Sequence, residues 1–223
     1  MLLHDAIAPL KCPQLPLFGT TDLHAVAKGF AHAPALQLRQ SWLPEPEPDF
    51  APGTVRVGWH GEVLMILAEL EDTDVFINAT EPNQRLWELG DAFEIFLRPR
   101  FHPAYTELQV APNNLRLQLN FASEHALAWT RKTGSIDDAI VQDIIFTSRT
   151  WVQPENRRWH VLAQVPLPAV CNYTGALGGS VWHFSFCRYD YTNGRAEPVI
   201  SSTSPLTQPD FHRLNEWRTM EFV

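Results

Sequence analysis

Five side chains fall at alternate positions along three neighbouring runs. Glu94 lies in AFEIFLR (92–98), Glu107 and Gln109 lie in YTELQVA (105–111), and Arg116 and Gln118 lie in NLRLQLNF (114–121). Carboxylates, amides and guanidinium groups present planar, paired hydrogen-bonding edges, which suit the vicinal hydroxyls of a sugar. Sugar rings also need flat apolar platforms for their C–H faces. Trp87 and Trp129 lie in loop or strand-end contexts beside these runs. A second chemistry is open to the same residues. Glu94 and Glu107, one diagonal step apart on neighbouring strands at roughly 7–8 Å between Cβ atoms, would suit glycoside hydrolysis, with one carboxyl as acid and the other as nucleophile or base. Gln109 and Arg116 would crowd that face and favour plain hydrogen bonding. The nine histidines show no short metal-binding spacing. Haem ligation would have to draw on Met1, Met65 and Met220, a poor set of axial ligands.

The elements that must position these groups follow from period-two patterning. TVRVGWH (54–60), the apolar run EVLMILAEL (62–70), and the runs at 92–98, 105–111, 114–121, 143–153, 157–167, 181–190 and 217–223 all read as strands. Turn clusters such as RPRFHP, APNN, PENR, YTGALGGS and YTNGR separate them. Short alternating strands without helical crossovers predict an all-β, antiparallel β-sandwich, jelly-roll-like, with little helix. Helix is expected only around 166–171 and 207–214. The six-residue connection between 98 and 105 predicts a hairpin in which Phe96 faces Glu107 and Glu94 faces Gln109. One face then carries Phe93, Ile95, Leu97, Leu108 and Val110. The other carries Glu94, Phe96, Glu107 and Gln109, and the next strand is expected to add Arg116, Gln118 and Asn120 to it. An ordinary solvated sheet face reads from these residues equally well.

Composition limits the function. A chain of 223 residues with eight Trp, thirteen Phe and 45% hydrophobic residues can build a large core. The net charge is −8, and only Lys11, Lys28 and Lys132 are lysines. Without a basic cluster, neither nucleic acid nor an anionic membrane surface is an expected partner. No apolar run approaches about 18 residues, and no signal peptide is visible, which at face value places the chain in the cytoplasm. Cys12, Cys171 and Cys187 are spaced neither as a disulfide framework nor as a zinc site, and read as buried thiols. The Pro-rich, acidic LPEPEPDFAPG (43–53) reads as an exposed loop. The preceding residues are too few to fold alone, so 1–34 reads as an extension packed on a single domain of residues 35–223.

The run LWELGDAFEIFLRP (86–99) followed by YTELQVAPNN (105–114) resembles family 9 carbohydrate-binding modules, within the wider group of DOMON-like β-sandwiches. RRWHVLAQVPLPAV (157–170), WHFSFCRYD (182–190), DFHRLNEWRTMEF (210–222) and AELEDTDVF (68–76) resemble later and earlier strands of the same pattern. The resemblance implies a sandwich that binds poly- or oligosaccharide without catalysis. Trp87 would be one wall of a Trp clamp and Glu94 the motif carboxylate. Glu107 and Gln109 would be the hairpin partner's contacts, with Gln109 where an Arg is expected. The late stretch VISSTSPLTQPDF (199–211) lacks the second clamp Trp. No cofactor is implied beyond structural calcium, for which Asp72, Asp74 and Asp91 offer oxygen ligands from adjacent turns. A structural or interaction sandwich without sugar affinity is the alternative.

Overall fold

The alternation resolves into two facing sheets. The computed structural model describes residues 8–133, 135–192 and 195–223; the YTNGR turn therefore lies partly outside the described residues. The strands are β1 (Leu10–Cys12), β2 (Ala35–Gln37), β3 (Gly53–His60), β4 (Val63–Glu71), β5 (Ala92–Pro99), β6 (Tyr105–Val110), β7 (Arg116–Phe121), β8 (Thr147–Gln153), β9 (Arg158–Pro166), β10 (Val181–Asp190), β11 (Val199–Ser202) and β12 (Arg218–Phe222). Seven form one sheet in the order β1-β12-β10-β5-β6-β7, with β11 also on β10, and five form the other in the order β2-β3-β4-β9-β8. Among the described residues the strands pair antiparallel except β1 with β12, and a single parallel bridge joins Gln14 to Trp59. The fold is an all-β sandwich, as the patterning predicts. Between the sheets lies a core built on Phe93, Ile95, Leu97, Val161, Phe184 and Phe186.

The β5–β6 hairpin has the predicted register, with Phe93 opposite Val110, Glu94 opposite Gln109, and Phe96 opposite Glu107. The expectation for β7 is overturned. Gln118 pairs with Leu108 and Arg116 with Val110, while Leu117 and Leu119 stand opposite Gln109 and Glu107. Arg116 and Gln118 therefore lie on the opposite face of the sheet from the carboxylates. Cross-strand partners share a face, so the pairing set by the turn after β6 decides which half of β7 points where. That turn closes with the Ala111 N–H donating to the Leu115 carbonyl at 3.0 Å. Arg116 donates to the Phe146 carbonyl at 3.1 Å, and Gln118 accepts from the Ile145 N–H at 2.9 Å. Both side chains fasten the segment leading into β8.

The outer face of the larger sheet is covered rather than solvated. Leu117, Leu119, Phe121, Phe96 and Tyr105 meet Phe211, Leu214 and Trp217 there in a second core. Helices α2 (Leu86–Leu89) and α3 (Glu124–Thr133) flank that face, and α1 (Leu23–Gly29) lies in the N-terminal segment. None of the three helices is predicted from the sequence; the two expected helical stretches reduce to 3-10 turns at Leu167–Ala169 and Leu214–Glu216. Leu15, Val26 and Phe30 of the N-terminal segment pack on Met65, Leu67 and Leu162, on the outer side of the smaller sheet. No helix among the described residues is long and apolar enough to cross a membrane.

Candidate functional site

The covered outer face encloses a cavity of about 420 Å³. Glu94 and Glu107 line it from the sheet, Trp87 from α2, Thr130 and Arg131 from α3, Tyr189 from β10, and Asp210, Phe211 and His212 from the segment before β12. Glu94 and Glu107 are only 2% and 3% exposed, so they face the cavity without facing bulk solvent. Gln109 lies between them. Its Nε2 donates to Glu94 Oε1 at 2.7 Å and to Glu107 Oε1 at 2.6 Å, which uses both amide hydrogens. The alternation on β5 and β6 aims all three side chains to one face, and the hairpin register holds them side by side.

The electrostatics of this floor are set by burial. Desolvation, then the Glu107 charge, raises Glu94 well above the usual carboxylate range. Desolvation raises Glu107 to about 7, against the lowering effect of Gln109 and Arg131. His212 comes nearest to offsetting this charge. Its Nε2 is 3.5 Å from Glu107 Oε2, too far for a hydrogen bond, and burial, then Arg131, depresses its pKa to about 3. The ring is therefore neutral near pH 7. Its Nδ1 is 3.0 Å from Tyr105 Oη.

Of the residues expected here, the structure brings together Trp87, Glu94, Glu107 and Gln109. Arg116 and Gln118 lie across the sheet from them. Trp129 is on α3, neither loop nor strand end, and is 67% exposed while Leu127 takes the inward position. Tyr189, Arg131, Asp210, Phe211 and His212 do not emerge from the sequence. Alternation along β10 places Tyr189 on the same face as Cys187, but that Cys187 pairs with Glu94 is a long-range register that the sequence does not show. The others reach the pocket only through long-range packing. Phe211, from the end of the late stretch that lacks a Trp, supplies an aromatic ring in that region.

A second constellation closes one end of the sandwich. Arg188 is completely buried, and its Nη2 lies 3.0 Å from both Asp72 Oδ2 and Asp190 Oδ1. Its Nη1 donates to the Glu71 carbonyl at the end of β4, tying one sheet to the other at 2.6 Å. Asp91 joins these groups: a ligand oxygen from each of Asp72, Asp91 and Asp190 lies within 4.8 Å of the others. Asp91 is held in place by Gly90, whose φ of 146° and whose approach to the Phe76 carbonyl, 2.3 Å from where a Cβ would stand, exclude other residues. Asp91 accepts from the N–H groups of Phe76 and Tyr191 at 2.6 and 2.8 Å. Burial and then Asp72 raise its pKa to about 8. Asp74 is outside the cluster, and Asp190 stands in its place. The Asp74 N–H donates to Asp72 Oδ1 at 3.0 Å.

These features define an all-β sandwich with a ligand-sized pocket on the outer face of its larger sheet. No protein-family model matches the sequence, and no match to a functionally curated protein was found. Solved structures do match the fold. A protein of Bacteroides uniformis to which carbohydrate binding has been ascribed superposes with a TM-score of 0.74 at 16% identity, covering 96% of this chain and 99% of its own. A family 9 carbohydrate-binding module from Caldicellulosiruptor kristjanssonii in complex with cellotriose matches with a TM-score of 0.65 at 15% identity, covering 96% of this chain and 93% of its own. A family 9 module from the same organism in complex with glucose matches with a TM-score of 0.63 at 15% identity, covering 96% and 94%. The fold is that of family 9 carbohydrate-binding modules.

Proposed function

We propose that the pocket binds a sugar, as part of a poly- or oligosaccharide, and performs no chemistry on it. The observation that carries this reading is a hydrogen-bonding floor, Glu94–Gln109–Glu107, set beneath aromatic walls in a cavity of small-ligand size. The bound sugars of two structural neighbours support it. The floor also argues against a hydrolase. An acid and a nucleophile must flank the scissile bond with open space between them, and here the Gln109 amide bonds to both carboxylates and fills that space. Trp87 offers an indole wall, whereas Trp129 projects outward from α3. Trp87→Ala is therefore expected to weaken oligosaccharide binding by about tenfold or more, measured by affinity electrophoresis in polysaccharide gels. Trp129→Ala should leave mobility unchanged, and retained binding in the Trp87 variant would remove the indole from the site.

We propose further that the buried acidic cluster takes a calcium ion. Asp72, Asp91 and Asp190 offer only hard oxygen ligands, and a cation there would take the place of the proton that burial leaves on Asp91, so the group fits such a cation. A bound ion would add stability by mass action, about 2.7 kcal/mol at a hundredfold excess over Kd. Calcium is expected to raise the melting temperature and a chelator to reverse the rise. An unchanged melting curve at saturating calcium would discard the ion.

A further inference from the structure

Resting on the sugar-binding reading, we propose that the pocket selects amino sugars, carrying a protonated amine, over neutral sugars. Once its carboxyls are ionised, the floor offers acceptors and almost nothing else. Both N–H bonds of the Gln109 amide are spent on the two carboxylates, which leaves Gln109 Oε1 buried without a partner; Glu107 Oε2 is likewise buried and unpartnered. A hydroxyl brings one donor along with lone pairs that would face these acceptors. An ammonium brings three donors and no acceptor.

Charge points the same way. Two carboxylates more than nine-tenths buried stand one amide apart, and among the described residues neither is paired with a cation. The guanidinium groups lining the cavity are engaged elsewhere. Arg131 is 3.2 Å from Asp210, and Arg85 is 3.5 Å from Glu88 and 3.8 Å from Asp137. A buried carboxylate pair without a countercharge is stabilised by a ligand that supplies one. Without the ligand the pair keeps a proton, which the raised pKa of both glutamates supports. An arriving ammonium displaces that proton; a neutral sugar does not. The other titratable groups facing the pair stay neutral near pH 6: burial raises Cys187, Tyr105 and Tyr189 and lowers His212. Arg131 and Asp210 offset each other, so proton release on binding reports on the pair itself.

The test is calorimetry on the full chain at about pH 6, where an amine is charged, with glucosamine, glucose and N-acetylglucosamine as ligands. Glucosamine is expected to bind at least tenfold more tightly than either neutral sugar. Its enthalpy should also vary with the ionisation heat of the buffer, as proton release requires. Glucose binding as tightly as glucosamine would overturn the inference and leave the sugar-binding reading standing. Failure of every sugar, on a glycan panel as well, would overturn both. Methylamine matching glucosamine would show a general cation site and overturn the amino-sugar assignment. Gln109→Lys, which builds an ammonium between the two glutamates, should bring the glucosamine preference to parity or below; an undiminished preference there would also count against the proposal. The wild-type ligand series decides the question if that variant fails to fold.

Discussion

Arg188→Met is expected to remove about 3–5 kcal/mol of stability, read as a fall in the urea midpoint with an unchanged slope. Arg188 is fully buried and is the charged side chain that meets both Asp72 and Asp190. A charge pair of this kind adds little beyond what a well-packed apolar group would, because desolvation offsets attraction. Removing one side only is different, since it leaves Asp72, Asp91 and Asp190 together without a cation. The Glu71 carbonyl also loses its guanidinium donor where the two sheets meet. Adding Asp72→Asn to Arg188→Met should recover part of the loss by deleting one stranded charge. If calcium occupies the cluster, the single variant should also regain more stability from added calcium than the wild type does. A loss below about 1 kcal/mol would mean that water reaches the cluster.

The second large effect is on pH dependence. The stability contributed by the glutamate pair is expected to fall as pH rises from about 4.5 to above 7, with Glu107 raised from 4.5 to about 7 and Glu94 raised well above its ordinary value, while buried His183 and His212, lowered to about 4 and about 3, contribute in the opposite sense below about 6.5. Both carboxyls stay protonated in the folded chain at pH values where the unfolded chain has already released those protons. The native state therefore binds more protons across this window, so the derivative of unfolding free energy with pH is negative. Below the unfolded pKa values the difference vanishes; above the folded ones the full cost is present. The Glu107 contribution is on the order of 3 kcal/mol. Glu107→Gln keeps the shape and removes the titration. Its denaturation midpoints, measured from pH 4 to pH 8, should gain on those of the wild type as pH rises through about 4.5 to 7, because only the wild type carries the Glu107 titration. An identical slope in both proteins would mean that Glu107 is already ionised in the folded state.

The sequence alone determined nine of the twelve strands and one register; β1, β2 and β11, three or four residues each, are too short to show alternation. The side-chain period of a strand is two and local, so the alternation in AFEIFLR and YTELQVA was enough to set Glu94 beside Gln109 and to place Glu107 on the same face. The short connection between them left little freedom in pairing. Tertiary structure decided the rest. Alternation says that two faces exist but not which face a strand turns toward a given neighbour, and the turn after β6 sent Arg116 and Gln118 across the sheet. It also does not show that a polar face will be roofed. That depends on Phe211, Leu214 and Trp217, 90 to 98 residues along the chain from Leu119 and Phe121, which they cover. The acidic cluster has the same origin. Asp72 follows β4, Asp91 precedes β5 and Asp190 ends β10, and only the packing of both sheets around Arg188 brings all three within reach of one another. Long-range contacts of this kind leave no mark in local spacing, because each residue's own neighbours in sequence would look the same without them.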